Sequence, residues 1–328
     1  MSAQALGPSA RPFYRDTRVR VALAVLAGVL APFAIYPVFV MNALCWALFA
    51  GSFNLLLGYA GLLSFGHAAF FGGAAYVTAW SMKNFGLGPE LGILAGTGAA
   101  ALLGVVFGAV AIRRNGIAFS MVTLALAQLL YFYAVQTPLS GGEDGIQSVP
   151  RGALFGLFDL DVQLNLYYLV LAVFLLGTAL IHRVVHSPFG WVLSSIRQNE
   201  PRAISLGYKT NQYKFVAFVL SAALAGLAGS TQTLVFQLAS LTGIHWSISG
   251  EVVLITILGG TATLLGPIVG AFLILAMFNY LNAFGSWVTV IQGVVFIVCV
   301  LVLRDGIVGE LRNWLARRQR TPSARPAQ

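Results

Sequence analysis

The 328-residue sequence has very little charge, since Asp, Glu, Lys and Arg together make up 9% of it. Soluble domains carry about 25% charged residues, and a surface this poor in charge would aggregate in water. Apolar residues account for 58% of the chain. The composition therefore predicts an integral membrane protein with an all-α fold, a polytopic bundle of transmembrane helices.

The sequence also lacks the motifs of catalysis. It contains no Gly-Lys pair, which excludes a phosphate-binding P-loop, and it has no HExxH zinc motif. Its two cysteines, Cys45 and Cys299, lie in apolar runs without a metal-ligand neighbour, so we interpret them as small core residues. A membrane-embedded enzyme would need a paired acid and base or a metal cluster, and the sequence supplies neither. We predict no enzymatic activity and no cofactor or metal bound by this chain.

Charge inside the apolar runs is scarce, and the basic residues are grouped. No row of charged residues crosses the runs, which argues against an ion- or proton-driven carrier, although a self-sufficient secondary carrier or channel remains an alternative. Every Lys and Arg except Lys83 and Arg151 lies near the N-terminus, at 113–114, between 183 and 214, or after 303. This clustering follows the positive-inside rule rather than a nucleic-acid surface. It predicts that both termini are cytoplasmic and that the partner is a lipid bilayer, not nucleic acid.

Ten apolar runs follow one another along the chain. We expect about ten spans, some short or broken, in a transmembrane domain at 19–309 between cytoplasmic tails at 1–18 and 310–328. The run Ile244–Gly260 contains Glu251 and ends at two glycines, which is compatible with a half-helix or re-entrant piece. The predicted runs are Val19–Val40, Met41–Leu57, Leu62–Met82, Leu91–Ile112, Ile117–Gln136, Leu166–Ile181, Phe215–Phe236, Ile244–Gly260, Leu264–Phe284 and Trp287–Leu303.

Two connecting loops are long, an outer one at 137–165 and an inner one at 182–214. The inner loop carries helix signals, because Ser187-Pro188 is a helix cap followed by a first-turn proline. We expect Pro201 to force a break after Glu200, and Gly207 to end a second short turn. The pattern predicts two short cytoplasmic helices joined by an elbow, which is either a docking element for a cytoplasmic partner or an ordinary solvated loop.

A glycine-rich break interrupts the apolar sequence between Gly58 and Gly73. It contains His67, the one histidine placed inside the apolar core of a predicted span. Irregular backbone and an ionisable residue at membrane depth must face protein or water, so the segment is a candidate lining of a pathway through the bilayer. A hydrogen-bonded packing role for His67 is the alternative. The candidate pathway residues are Ser64, Phe65, Gly66, His67 and Phe70.

Small residues recur at every fourth position of one predicted span. They lie on one helix face and allow close approach of another backbone, so we predict tight helix packing there. The stripe comprises Gly92, Gly96, Ala100, Gly104 and Gly108, and a similar stripe comprises Ala222, Gly226 and Ser230.

Three acidic residues are predicted on the outer side. Glu143 and Asp144 lie in the outer loop, and Glu251 lies near the outer end of its short run. They are candidates for an outer gate or for contact with an external binding protein. A solvated or capping role is the alternative for Glu251.

Three blocks of sequence, in matching order, carry a resemblance to a known family. They are Gly58–Tyr76, then Gly190–Gly229 with its Arg197-Gln198-Asn199-Glu200-Pro201-Arg202-Ala203 elbow, and then Ser249–Gly260 followed by Gly266-Pro267. In these blocks the chain resembles the permease subunits of branched-chain amino acid ABC importers, the LivM type, from about Val19 to Gly309. The usual Glu-Ala-Ala form of the family elbow is altered here, because Pro201-Arg202 follow Glu200.

The resemblance implies a function and a set of partners. It implies a permease of an ATP-driven, binding-protein-dependent importer in the bacterial cytoplasmic (inner) membrane, for Leu, Ile and Val or for urea, short amides or other amino acids. The implied partners are a second, LivH-like permease, two LivG/LivF-like ATPases that use ATP and Mg, and a periplasmic or lipid-anchored binding protein. The inner loop would couple the chain to the ATPases through Arg197, Glu200, Pro201, Ala203 and Gly207.

Overall fold

The computed structural model describes residues 35–281 without interruption, together with residues 26, 28–33, 287, 290, 291, 293, 294, 297, 301 and 306–310. In the continuous part the helices are α1 (Pro37–Asn54), α2 (His67–Phe85), α3 (Pro89–Ala111), α4 (Ile117–Gln136), α5 (Gln163–Val185), α6 (Pro188–Gln198), α7 (Glu200–Ser205), α8 (Thr210–Phe236), α9 (Trp246–Gly259) and α10 (Gly266–Leu281). A π-helical segment, Leu55–Ala60, continues α1, and residues 28–33 before it are also helical.

Strands in the described residues are confined to two-residue pieces in loops. They are β1 (Ile146–Gln147), β2 (Ala153–Leu154), β3 (Phe158–Asp159) and β4 (Leu238–Ala239). β1 pairs antiparallel with β4, and β2 with β3. The described chain is therefore an all-α bundle, as the composition predicts, with small strand pairs that fasten a loop.

Five helices are long and apolar enough to cross a membrane: α1 with its π extension, α3, α4, α5 and α8. Two further apolar helices are shorter, with 14 residues in α9 and 16 in α10. At 1.5 Å per residue these span about 21 and about 24 Å, less than the roughly 30 Å hydrocarbon core. The predicted total of ten crossings stays a prediction, because nine residues of the first predicted run, ten of the last and nearly all of both tails lie outside the described residues.

The centre of the bundle is formed by α1 and α8. In the most apolar stretch of each helix, 83% of the residues of α1 with its π extension are buried, compared with 61% in α8 and 28% in α4. α1 packs on α5, α8 and α10, and α8 packs in addition on α2 and α3. Because apolar residues lie on all sides of α1, it suits a position surrounded by protein, whereas most of the surface of α4 is left uncovered by the described residues.

The chain alternates between two ends of the bundle. We name the end that carries α6 and α7 the elbow end, and the end that carries residues 137–162 the loop end. Asn54, near the last turn of α1, contacts Thr263 between α9 and α10 at the elbow end. Lys83, in the last turn of α2, donates to Gln147 O at the loop end, 3.1 Å away. Successive long helices therefore run in opposite directions.

The predicted position of the elbow break is wrong by one residue. Asn199 has the extended conformation (φ −159°, ψ 95°), and its side-chain oxygen accepts a hydrogen bond from Arg202 N at 3.1 Å. Glu200 is already helical, and Pro201 lies in the first turn of α7, where a missing N–H breaks no intrahelical bond. The two predicted short helices are present, and Gly207, at φ +86°, follows the second.

The loop boundaries also differ from those predicted. The outer loop ends at Val162 because α5 begins at Gln163, and the inner loop is shortened at both ends by α5, which continues to Val185, and by α8, which starts at Thr210. The run predicted as Leu62–Met82 begins with a non-helical stretch at 61–66, and α2 starts only at His67.

Candidate functional site

The elbow formed by α6 and α7 attaches to the bundle through one apolar face. α6 starts at a Ser187 cap, whose hydroxyl accepts from Gly190 N at 3.4 Å. Leu193, Ile196 and Ala203 are 0–3% exposed and form the inward face. Burial of three side chains holds the two short helices against the bundle, since helices this short are not stable alone in water.

The elbow also carries large apolar side chains that are exposed. Trp191 is 72% exposed and Leu206 71%, and Ile204 and Tyr208 are exposed as well. Exposed large apolar side chains are candidates for an interaction surface. We call these four residues the elbow patch.

A charged contact ties the elbow to α8 and to the α3–α4 turn. The Nζ of Lys214, in the second turn of α8, lies 2.5 Å from Glu200 Oε1, and it donates to Asn115 Oδ1 at 3.2 Å. The Lys214 side chain is 4% exposed and that of Glu200 24%. This is the single ion pair within the described parts of the chain. A buried ammonium needs its counter-charge, so Glu200 fixes the start of α7 to the central helix.

A second contact ties the elbow to the end of α1. The guanidinium of Arg197, in the last turn of α6, donates to Gly58 O in the π-helical segment. Gly61 ends that segment at φ +73°, and a Cβ there would lie 3.0 Å from Arg197 Cγ. Any other residue at 61 would therefore be strained and would press on the arginine. π-Helical turns within α-helices are frequent at functional sites, because they leave backbone groups free to bond elsewhere.

The same π-helical segment is clamped to the turn between α9 and α10. Asn54 Nδ2 donates to Thr263 O at 2.8 Å, and Asn54 Oδ1 accepts from Ala262 N at 3.0 Å. Tyr59 Oη donates to Ala262 O at 3.1 Å. A Cβ on Gly58 would lie 2.7 Å from Ala262 N, so glycine permits this approach. The segment that accepts the bond from Arg197 is thus also bonded to the turn between α9 and α10.

The break at 61–66 is held from several helices. Ser120 Oγ of α4 donates to Leu63 O at 2.6 Å, and Thr123 Oγ1 of α4 accepts from Phe65 N at 3.2 Å. At the start of α2, Ser249 Oγ of α9 accepts from Ala68 N at 2.9 Å. Backbone groups that a helix would pair internally are satisfied here by side chains of other helices, as irregular backbone inside a membrane requires.

His67, the first residue of α2, lies fully buried where α1, α2 and α8 meet. Its Nε2 is 2.8 Å from Ser221 Oγ, and Ser221 donates its one hydroxyl hydrogen to Ser52 O at 2.6 Å. Ser221 Oγ can then only accept from His67, which assigns the imidazole proton to Nε2. Phe53, Phe70 and Phe218 surround the ring at centroid distances of 4.9, 5.7 and 6.4 Å.

The described residues around His67 offer no partner for acid–base or metal chemistry. Its Nδ1 is buried without a hydrogen-bond partner among the described residues. Those residues contain no group of three or more His, Cys, Asp or Glu placed to hold a metal. Ser64, Gly66 and Phe70 are buried with it, and Phe65 is half-buried. The hydrogen bond and the aromatic cage give His67 a packing role in this conformation; lining of a pathway by these residues stays a prediction.

The two small-residue stripes face each other across α3 and α8. A Cβ built on Gly104 would lie 2.6 Å from Ala222 Cβ, and one built on Gly226 would collide with Ala100 Cβ. Gly96 makes the third matching contact, with Ser230, and Gly108 lies against Phe215. Three pairs of small residues keep one antiparallel register over two turns of α3 and α8: Gly96–Ser230, Ala100–Gly226 and Gly104–Ala222. Gly92 packs instead on Met82 of α2.

At the loop end, the predicted acidic residues are separated. Glu143 and Asp144 are exposed on a 3₁₀ turn, Gly142–Asp144. Glu251 is half-buried in the middle of α9, whose cap is the His245 side chain rather than a carboxylate. The three do not form one described cluster, and a gating or docking role for them stays a prediction.

Sequence reasoning missed the residues that fasten the loop end. Arg151 Nε donates to Leu234 O at 3.0 Å and its Nη2 to Val235 O at 2.8 Å, which satisfies carbonyls at the end of α8. Lys83 donates to Gln147 O next to the β1–β4 pair. The sequence did contain a signal for them, because Lys83 and Arg151 are the two basic residues that lie outside every basic cluster.

The described chain combines five helices that are long and apolar enough to cross a membrane with an irregular segment between α1 and α2 and an elbow bonded to the central helices, which is the architecture of a multi-pass membrane protein. The chain matches the family described as "Branched-chain amino acid transport system / permease component" over residues 38–300, and it belongs to that family. It is thus a permease component of an ABC-type transporter and a multi-pass protein of the inner membrane.

Similarity to curated proteins agrees with this family. The chain is 26% identical over 290 residues to the high-affinity branched-chain amino acid transport system permease protein LivM of Escherichia coli K12, covering 80% of this chain and 67% of that protein. The LivM of Salmonella typhimurium LT2 gives the same identity and coverage. The autoinducer 2 import system permease protein LsrC of Klebsiella pneumoniae is 33% identical over 190 residues, 56% of this chain and 51% of that protein. No solved structure matches the chain.

Proposed function

We propose that this chain forms half of the translocation pathway of an ATP-driven, binding-protein-dependent importer of the branched-chain amino acids Leu, Ile and Val. The proposal rests first on the family and on the similarity to the two LivM proteins. The chain itself would bind no cofactor; ATP and Mg would be used by separate ATPase subunits. Both termini and the elbow end would face the cytoplasm, in line with the positive-inside rule.

The observation that carries the proposal is the construction of the elbow. Its outward side offers the exposed elbow patch, which suits a cytoplasmic protein partner. Its inward side holds Arg197 and Glu200, which are bonded to α1 and α8, the central helices. A loop that only held the chain near a lipid surface would need neither the exposed elbow patch nor the bonds to the central helices.

The proposed mechanism follows from these bonds. Closure of two ATPases on ATP would displace the elbow, and the contact of Arg197 with Gly58 and that of Glu200 with Lys214 would carry the displacement to α1 and α8. The bundle would then change from inward-open to outward-open and receive substrate from a binding protein at the loop end. Nucleotide can drive this change only if the elbow differs between the two states.

A second permease of similar kind would complete the pathway, together with the two ATPases and a periplasmic or lipid-anchored binding protein. Gentle solubilisation of native membranes with a tagged copy of this chain tests the assembly. Co-purification of an ATPase and a second permease is expected. If the chain purifies alone even after cross-linking, a self-sufficient carrier or channel replaces the proposal.

Substrate choice needs a separate test, since the similarity to the LsrC permease, named for autoinducer 2 import, favours a second candidate within the same importer class. The importer reconstituted in proteoliposomes with its binding protein and ATP is expected to accumulate labelled leucine. Competition by unlabelled isoleucine and valine, but not by urea, acetamide or autoinducer 2, supports the branched-chain assignment. Uptake of one of those three compounds instead of leucine would replace it.

A further inference from the structure

A crevice opens between α3 and α8 at the elbow end of the bundle. It has a volume of about 510 Å³. Its lining comes from the end of α3 and the turn after it, and from the first two turns of α8: Gly108, Ala109, Ile112, Arg113, Asn211, Gln212, Phe215 and Val216. We call it the α3–α8 crevice. A second hollow of about 610 Å³ shares Ala109 and Arg113 with it and adds Arg114.

The crevice is polar and basic at its rim. Arg113 and Arg114 are exposed, and Asn211 and Gln212 add exposed side-chain amides. Neither arginine has a carboxylate partner in the described parts of the chain, where the sole ion pair is that of Lys214 with Glu200. The partial positive charge at the start of the 27-residue α8 adds to the two guanidinium charges. The rim is therefore suited to a negatively charged group.

The crevice is apolar below its rim. Gly108 and Ile112 are buried in its floor, and Phe215 is half-buried. Towards the membrane interior the adjoining surface stays apolar, with Val106 52%, Val110 54% and Val216 46% exposed. A ligand that fits both parts has a charged head and a hydrocarbon tail. A free inorganic anion would use only the rim.

We propose that the α3–α8 crevice binds an anionic phospholipid, with the headgroup phosphate on Arg113 and Arg114 and one acyl chain against Phe215 and Val216. Basic pockets between membrane helices on the cytoplasmic side bind anionic headgroups in this way. The α3–α4 turn that carries Arg113 and Arg114 also carries Asn115, which bonds Lys214, the partner of Glu200. The bound lipid would therefore stabilise the contact of Glu200, Lys214 and Asn115 that holds the elbow on the bundle.

Native mass spectrometry of the full chain in detergent tests the site, with dioleoyl phosphatidylglycerol as the probe and dioleoyl phosphatidylcholine for comparison. The wild-type chain is expected to retain phosphatidylglycerol selectively. The double substitution R113Q/R114Q is expected to weaken that retention about 30-fold, since each basic residue contributes about 1 kcal/mol and 1.4 kcal/mol corresponds to a factor of ten. Equal retention of both lipids by the wild type would overturn the proposal.

The matched control is R183Q/R202Q, which removes the same charge from exposed arginines at the same end, outside the crevice. It is expected to change retention less than about threefold by the loss of long-range attraction alone. Equal losses in both double variants would show diffuse attraction without a site and would overturn the proposal.

A second variant, V216W, fills the apolar part and leaves the charge unchanged. It is expected to lower phosphatidylglycerol retention, while millimolar inorganic phosphate does not compete. Unchanged retention in V216W together with competition by phosphate would mean a site for free anions and would refute a lipid site. Both altered arginines and Val216 are exposed, so unfolding temperatures close to that of the wild type are expected and are measured alongside.

Discussion

Substitution of Glu200 is the sharpest test of how the elbow is joined to the bundle. Glu200→Ala removes the carboxylate that lies 2.5 Å from Lys214 Nζ, and Glu200→Gln removes only its charge. Lys214 is left as a buried ammonium whose remaining described partner is Asn115. The elbow should then dissociate more readily from α8, while the apolar face of α6 keeps the chain folded and in the membrane.

The size of the effect follows from burial. Removing one partner of a fully buried ion pair costs about 3–5 kcal/mol. Because Glu200 keeps 24% of its side chain exposed and Asn115 remains bonded to Lys214, we expect about 2 kcal/mol for Glu200→Ala. At 1.4 kcal/mol per factor of ten, the undocked elbow becomes about 30-fold more populated. Glu200→Gln retains a hydrogen-bond acceptor and should cost about 1 kcal/mol.

The assay compares substrate uptake with ATP hydrolysis in proteoliposomes that contain the assembled importer. Glu200→Ala should lower uptake per ATP while the amount of chain in the membrane stays normal, and Glu200→Gln should lie between it and the wild type. Arg202→Ala is the control in the same helix, since Arg202 is exposed and forms no described side-chain bond. The double substitution E200Q/K214Q should be less harmful than the sum of its two single changes, because no unpaired charge remains. Normal coupling in Glu200→Ala, or additive single effects, would refute the reasoning.

Three further predictions concern other contacts. Gly104→Val should destabilise the bundle by about 2 kcal/mol through overpacking against Ala222, which a lower unfolding temperature in detergent would show. Gly98→Val, on the open face of α3, is the control and should have little effect. Equal losses of stability in the two variants would contradict the packed register. Arg197→Met keeps the side-chain stem but loses the bond to Gly58 O, so uptake per ATP should fall with unchanged expression; wild-type coupling would show that the contact is dispensable. Arg151→Met should expose the outer loop to added protease by freeing the end of α8, and an unchanged digestion rate would argue against that anchor.

Local features of the elbow could be read from the sequence because they depend on neighbouring residues. A serine before a proline starts α6, and a glycine with positive φ follows α7, as capping chemistry predicts. The start of α7 was misplaced because the side chain of Asn199 caps the helix, a signal that the proline after Glu200 obscured. The partner of Glu200 could not be read, since nothing in the order of residues links it to Lys214 rather than to Arg197 or Arg202.

Composition and periodicity alone determined that this chain is a membrane-embedded helical bundle and where most of its long helices lie. They also determined which faces of α3 and α8 carry small residues. These properties depend on how each segment partitions into lipid and on spacing along one helix. Only the tertiary structure decided that these two small-residue faces pack against each other, in the register that pairs Gly104 with Ala222. It also decided that the elbow bonds to Gly58, 139 positions away from Arg197. A side-chain bond to a distant backbone carbonyl leaves no periodic trace in a sequence, because any residue supplies the carbonyl and only the fold brings it within reach.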